Sequence, residues 1–95
     1  MGAYWVGHVT VTDNDTYMKY AALATEAIEA HGGKFLARGG RYRQLEGVDR
    51  PRNVVAYFPS FEAASDCYDS ETYQKACAFA KVSSERELVI IEAAE

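Results

Sequence analysis

From Tyr4 to Thr12 the chain alternates, with Trp5, Gly7, Val9 and Val11 facing one way and Tyr4, Val6, His8, Thr10 and Thr12 the other. Large or branched residues on both sides predict a strand covered on both faces. Asp13-Asn14-Asp15-Thr16 then supplies side chains that accept hydrogen bonds from first-turn amides. Behind it Tyr17, Tyr20, Ala21, Leu23, Ala24, Ala27 and Ile28 recur at helical spacing, which predicts an amphipathic helix. His31-Gly32-Gly33 ends it, glycine being suited to a left-handed cap. A second strand is expected from Lys34 as far as Leu45, bent at Gly39-Gly40. Gly47 to Arg52 reads as a turn in which Pro51 blocks pairing, and Asn53 to Phe58 as a nearly all-apolar, central third strand. Ser60 caps a second helix with Phe61, Ala64, Cys67 and Tyr68 on its apolar stripe. That helix is interrupted at Asp69-Ser70 and recapped by Ser70, after which Tyr73, Ala76, Cys77 and Ala80 continue the stripe. Leu88-Val89-Ile90-Ile91, inside Glu87 to Glu92, predicts a buried fourth strand.

The order β-α-β-β-α-β predicts an α+β, ferredoxin-like fold, one domain over residues 1–95. Right-handed crossovers give an antiparallel sheet of order 4-1-3-2 with both helices on one face. The central strands are apolar on both sides, so the other face needs a cover. A second copy of the chain is the simplest one. A chain of 95 residues buries only about two thirds of its unfolded surface, and association adds to that.

Charge is unevenly spread. Residues 34 to 52 hold six basic side chains (Lys34, Arg38, Arg41, Arg43, Arg50, Arg52) against Glu46 and Asp49, a local net of +4. The remaining residues carry four basic and twelve acidic groups, a net of −8. An anion-attracting segment on an acidic body points to a small anionic partner. The overall −4 argues against nucleic acid or an acidic membrane surface, and no apolar run reaches the roughly 18 residues of a span. Cys67 and Cys77 match neither a CxxC pair nor a zinc spacing, and with no signal peptide they suggest reduced thiols in the cytoplasm. On one continuous helix their α-carbons would stand about 15 Å apart, beyond the roughly 7 Å a disulfide spans.

Five residues are candidates for chemistry. His8, mid-strand, is a general base near neutral pH or, alternatively, a packed core histidine. Arg38, before the glycine pair, offers a bidentate grip on a carboxylate or phosphate, with Arg41 in support; the alternative is a structural ion pair. Trp5 and Tyr57 are candidate walls of a pocket between sheet and helices, or simply core. No metal or redox cofactor is expected, since no ligand set is visible and only two histidines are present. Arg38 and His8 share a site only if the strand register puts them on one face.

Taken together, Tyr4-Trp5, the run Gly33 to Gly40, Arg52-Asn53-Val54-Val55, the run Phe58 to Ala64, and Tyr68-Asp69-Ser70-Glu71-Thr72-Tyr73 resemble DUF1330, a domain-of-unknown-function family of the dimeric α+β barrel superfamily. The resemblance spans nearly the whole chain. It implies a homodimer whose two sheets face each other with the helices outside, and no settled biochemical function. The superfamily includes cofactor-free monooxygenases, lactone isomerases, haem-binding enzymes and stress-associated proteins, too broad a range to choose a chemistry. If the chain is an enzyme, the implied chemistry is cofactor-free and monooxygenase- or isomerase-like. The functional expectation is a small organic anion held between sheet and helices, against a non-catalytic homodimeric assembly module without a ligand. An RNA-binding sheet of the same topology is disfavoured, because the third strand lacks the Gly-Phe aromatic pattern.

Overall fold

The computed structural model describes residues 1–94. Its elements are β1 (Ala3–Val11), α1 (Asn14–Ala30), β2 (Lys34–Arg38), β3 (Arg52–Phe58), α2 (Phe61–Asp69), α3 (Glu71–Ser83) and β4 (Ser84–Glu92). The sheet is four-stranded in the order β2-β3-β1-β4 with every pairing antiparallel. This is the ferredoxin-like arrangement read from the sequence.

The helix starts follow from capping chemistry. Asp13 accepts from the Thr16 amide, Ser60 from Ala63 and Ser70 from Tyr73. Gly32, at φ +82°, takes the left-handed position after α1 that a Cβ would strain. Extended backbone at Ser70 divides the second helical region into α2 and α3, so Cys67 and Cys77 lie on different helices, both free and buried.

Odd positions of β1 and even positions of β3 and β4 face the helices. Ala3, Trp5 and Val9 meet Ala56 and Phe58 there, beneath Tyr17, Tyr20, Ala24 and Ile28 of α1 and Tyr73, Ala76 and Ala80 of α3. Trp5 is the centre of an aromatic cluster, edge-on to Tyr73 at 5.0 Å and tilted against Phe58 at 5.6 Å. The opposite face carries no helix. Tyr4, Val6, Val55 and Tyr57 lie on it half-buried, and Val89 and Ile91 are 50% and 51% exposed.

Two strand boundaries differ from the sequence reading by more than one residue. β2 stops at Arg38 rather than reaching Leu45, and residues 39–51 form neither strand nor helix. Gly39 turns out of the sheet at φ +69° while its amide closes the ladder on the Asn53 carbonyl at 2.9 Å. β4 starts at Ser84, three residues before the expected Glu87, because Ser84 to Arg86 pair with Val9 to Val11 of β1. Among the described residues no helix is long and apolar enough to cross a membrane.

Candidate functional site

Cross-strand register explains why a hollow forms beneath α1. Gly7 of β1 lies between Val54 of β3 and Leu88 of β4. With no side chain at the centre of that row, a cavity of about 30 Å³ remains, room for about two water molecules. A Cβ built on Gly7 would meet only Leu88 Cδ1 at 3.4 Å and the Glu87 carbonyl at 4.0 Å. Trp5, Tyr17, Tyr20, Ala24 and Phe35 wall the space.

Three arginines reach the same space. In the next row Val9 is flanked by Arg52 on β3 and Arg86 on β4, both on the helix-facing side. Arg38 enters from β2, opposite Val54. Among the described residues no carboxylate lines the cavity, and none lies within ion-pairing distance of these three guanidiniums. Arg52 Nε is buried without a hydrogen-bond partner among the described residues, and its guanidinium lies 5.7 Å from the Tyr17 ring. A buried donor left unmatched costs about 1–3 kcal/mol, more when charged. Arg86 stacks over Tyr20 at 4.6 Å and donates to the Tyr73 hydroxyl at 3.3 Å and to Cys77 Sγ at 3.8 Å. The Tyr20 and Tyr73 hydroxyls are 2.7 Å apart. Burial pushes the Tyr17 and Tyr73 phenols above their ordinary value, so both keep their protons at neutral pH. Arg38 is exposed at the rim, stacked on Phe35 at 4.2 Å and donating to Thr25 Oγ1 at 2.6 Å.

Of the residues singled out from sequence, Trp5 and Arg38 line this cavity. His8 and Tyr57 lie on the opposite face of the sheet, so the anticipated pairing of His8 with Arg38 is corrected. The cause is a bulge between Phe35 and Ala37: the extra residue, Leu36, shifts the alternation by one and turns Arg38 to the helix side. His8 Nδ1 instead meets Asn53 Oδ1 at 2.6 Å, and the Asn53 amide is fixed by donating to the Arg50 carbonyl at 3.0 Å. Nearby, Arg50 ties to Glu87 at 3.2 Å, Glu85 at 3.8 Å and Thr10 at 3.2 Å. Tyr57 packs edge-on against Tyr4 at 5.3 Å, and Arg41 is exposed in the segment after β2. Arg52, Arg86, Tyr17 and Tyr20 were not singled out. Their signal was parity: Arg52 alternates with Val54, Ala56 and Phe58, and Arg86 with Leu88 and Ile90.

Solved structures with this architecture are distant in sequence. A protein of unknown function from Rhodopseudomonas palustris is 16% identical, covering 99% of this chain and 83% of that one, with a TM-score of 0.81. SnoaB, a cofactor-independent oxygenase from Streptomyces nogalater, is 14% identical over 99% and 94% of the two chains, with a TM-score of 0.66. A dimeric protein of unknown function and ferredoxin-like fold from Bacteroides fragilis is 13% identical over 97% and 96%, with a TM-score of 0.56. At these identities the likeness is one of fold. No curated protein matches the sequence. Residues 2–94 match the family described as domain of unknown function (DUF1330), and the chain belongs to that family.

Proposed function

We propose that this protein binds a small organic anion in the cavity between sheet and helices, with Arg52 and Arg86 as its charge partners and Arg38 at the mouth. The observation that carries the reading is the buried, unpartnered Nε of Arg52 beside a hollow lined by three arginines and, among the described residues, no acid. A guanidinium nitrogen kept from water without a partner, as Arg52 Nε is, is stabilised by an anion that enters, and the planar fork of arginine suits a carboxylate. Trp5 serves as a wall. His8, Tyr57 and the apolar stripe Tyr4, Val6, Val55, Val89 and Ile91 belong instead to a contact with a second copy, the sheets packing face to face as in a dimeric α+β barrel. The dimeric Bacteroides fragilis protein of the same fold supports that arrangement. Free cysteines and the lack of a membrane-crossing helix among the described residues are compatible with a cytoplasmic setting.

Thermal-shift titration with formate and acetate, the carboxylates small enough for the hollow, tests the anion site on wild type, Arg52→Met and His8→Ala. Stabilisation of wild type and His8→Ala, lost in Arg52→Met, is the expected pattern. If no carboxylate stabilises the wild type, or Arg52→Met responds as well as wild type, the reading fails. An assembly module without a ligand then remains.

A further inference from the structure

On the face of the sheet opposite the arginine-lined hollow, a cleft of about 350 Å³ lies between residues 42–46 and the strand residues His8 and Asn53. That volume is within the roughly 300 to 1,000 Å³ of small-molecule sites. His8 stands at the end of the apolar stripe assigned to a second copy, and no other residue of that stripe lines the cleft. Hydrogen bonding at its wall fixes a tautomer. The Arg50 carbonyl only accepts, so the Asn53 atom that meets it at 3.0 Å is the amide nitrogen. Asn53 Oδ1 then faces His8 Nδ1 at 2.6 Å, and an amide oxygen also only accepts. In the neutral imidazole the hydrogen therefore sits on Nδ1, and Nε2 carries a lone pair. Nε2 has no partner among the described residues, and His8 is exposed. Neighbouring donors are committed elsewhere: the Tyr42 hydroxyl donates to Asp49 at 2.8 Å and the Gln44 amide to the Glu46 carbonyl.

We infer that this cleft is a second binding site, for a small neutral phenol whose hydroxyl donates to His8 Nε2. The Tyr42 ring, anchored through its own hydroxyl, and Leu45 supply the apolar wall for the ligand's ring. Charge selects a neutral guest. Arg43 and Glu46 on the same wall offset one another, and Glu87, opposite His8 on β4, is held by Arg50 at 3.2 Å. A phenol hydroxyl is a stronger donor than the water it displaces from Nε2. A carboxylate brings only acceptors, and an aliphatic alcohol brings no flat ring. Asn53 is the positioning residue, since it holds both the imidazole and its lone pair. The reading is independent of the anion site, which uses other residues on the other face.

Nitrogen-15 NMR of the imidazoles in the full chain reads both the tautomer and the binding. Only two histidines are present, so spectra of His31→Gln assign the His8 signals. His8 should carry its hydrogen on Nδ1, and titration with phenol should shift Nε2. Phenol should bind at least about fivefold more tightly than anisole, which has the ring without the donor. In His8→Phe, phenol should bind no better than anisole. Formate, the probe of the arginine-lined hollow, should not displace phenol. The assignment is overturned if the hydrogen is on Nε2, if anisole binds as tightly as phenol, if phenol binds without moving Nε2, or if formate displaces it. Absence of phenol binding overturns it too and leaves the anion site standing. Should His8→Phe not fold, the Nε2 shift and the phenol-to-anisole ratio in wild type decide.

Discussion

Replacing Gly7 with alanine tests whether the hollow beneath α1 is a site or a packing fault. The new methyl group projects from the middle of the Val54–Gly7–Leu88 row into the cavity, and its nearest neighbours, at 3.4 Å and 4.0 Å, are at ordinary contact distance. Gly7 does not use a positive φ, so alanine meets no backbone strain. Filling some 30 Å³ of void, at about 24 cal/mol per Å³, returns roughly 0.7 kcal/mol. Removing a glycine from a strand interior adds roughly 0.5 kcal/mol or more. The sum, about 1 to 1.5 kcal/mol, raises the melting temperature of a domain this size by about 5 to 10 °C. Thermal and urea unfolding followed by circular dichroism measure it, and carboxylate titration on the same sample should show the ligand-induced shift reduced or lost. More stability with less binding is the signature of a space kept open for a ligand. A Gly7→Ala protein that melts below wild type refutes the geometry. One that melts higher yet responds fully to carboxylates refutes the location of the site.

Two further outcomes are expected. Burial pushes the Cys67 thiol from 9.0 up to about 11, which means the folded state disfavours the thiolate. Its contribution to stability is therefore complete below pH 9 and lost as the pH rises through 11. Neither cysteine should react with a thiol reagent in native protein at pH 8, and both should react in urea, whereas rapid native labelling of Cys67 would contradict its burial. Light scattering at micromolar concentration should give twice the monomer mass for wild type and a smaller particle for Ile91→Glu, which places a charge on the uncovered apolar face. A stably folded wild-type monomer would remove the case for a face-to-face dimer.

Much of the architecture was legible because its signals are local. Side-chain caps at Asp13, Ser60 and Ser70 start the three helices where the sequence put them, and the interruption at Ser70 follows from one extended residue. The strand edges were less legible. Lys34 to Leu45 contains β-compatible residues, yet a strand needs a partner to pair with. Beyond Arg38 the chain leaves β3 at Gly39, so the remaining residues have no ladder to join. At the other end of the sheet the opposite holds. Ser84, Glu85 and Arg86 look like turn and surface residues in isolation but extend β4, because β1 runs on to Val11 and offers the backbone pairs.

The candidate site depends on two features that operate across the sheet. Leu36, a single extra residue in β2, decides which face Arg38 serves; without that bulge it would share the open face with Lys34 and lie on the same side as His8. Nothing in the local sequence distinguishes the two registers, since Leu36 is 55% exposed and makes no demand for burial. Arg52 and Arg86 were hidden for a different reason. A charged residue at the end of an apolar strand is ordinarily read as its solvated boundary. Here both ends converge because β3 and β4 pair with the same residue of β1, Val9, placing two arginines in one row across three strands. The glycine that opens space for a ligand is in the adjacent row, two residues along β1. Charge and room are therefore side by side on the face the helices cover, although in the sequence Gly7, Arg52 and Arg86 are far apart. That convergence sets the cavity apart from the exposed Arg41 and Arg43 of the segment after β2, which are free to find their counter-ions in water.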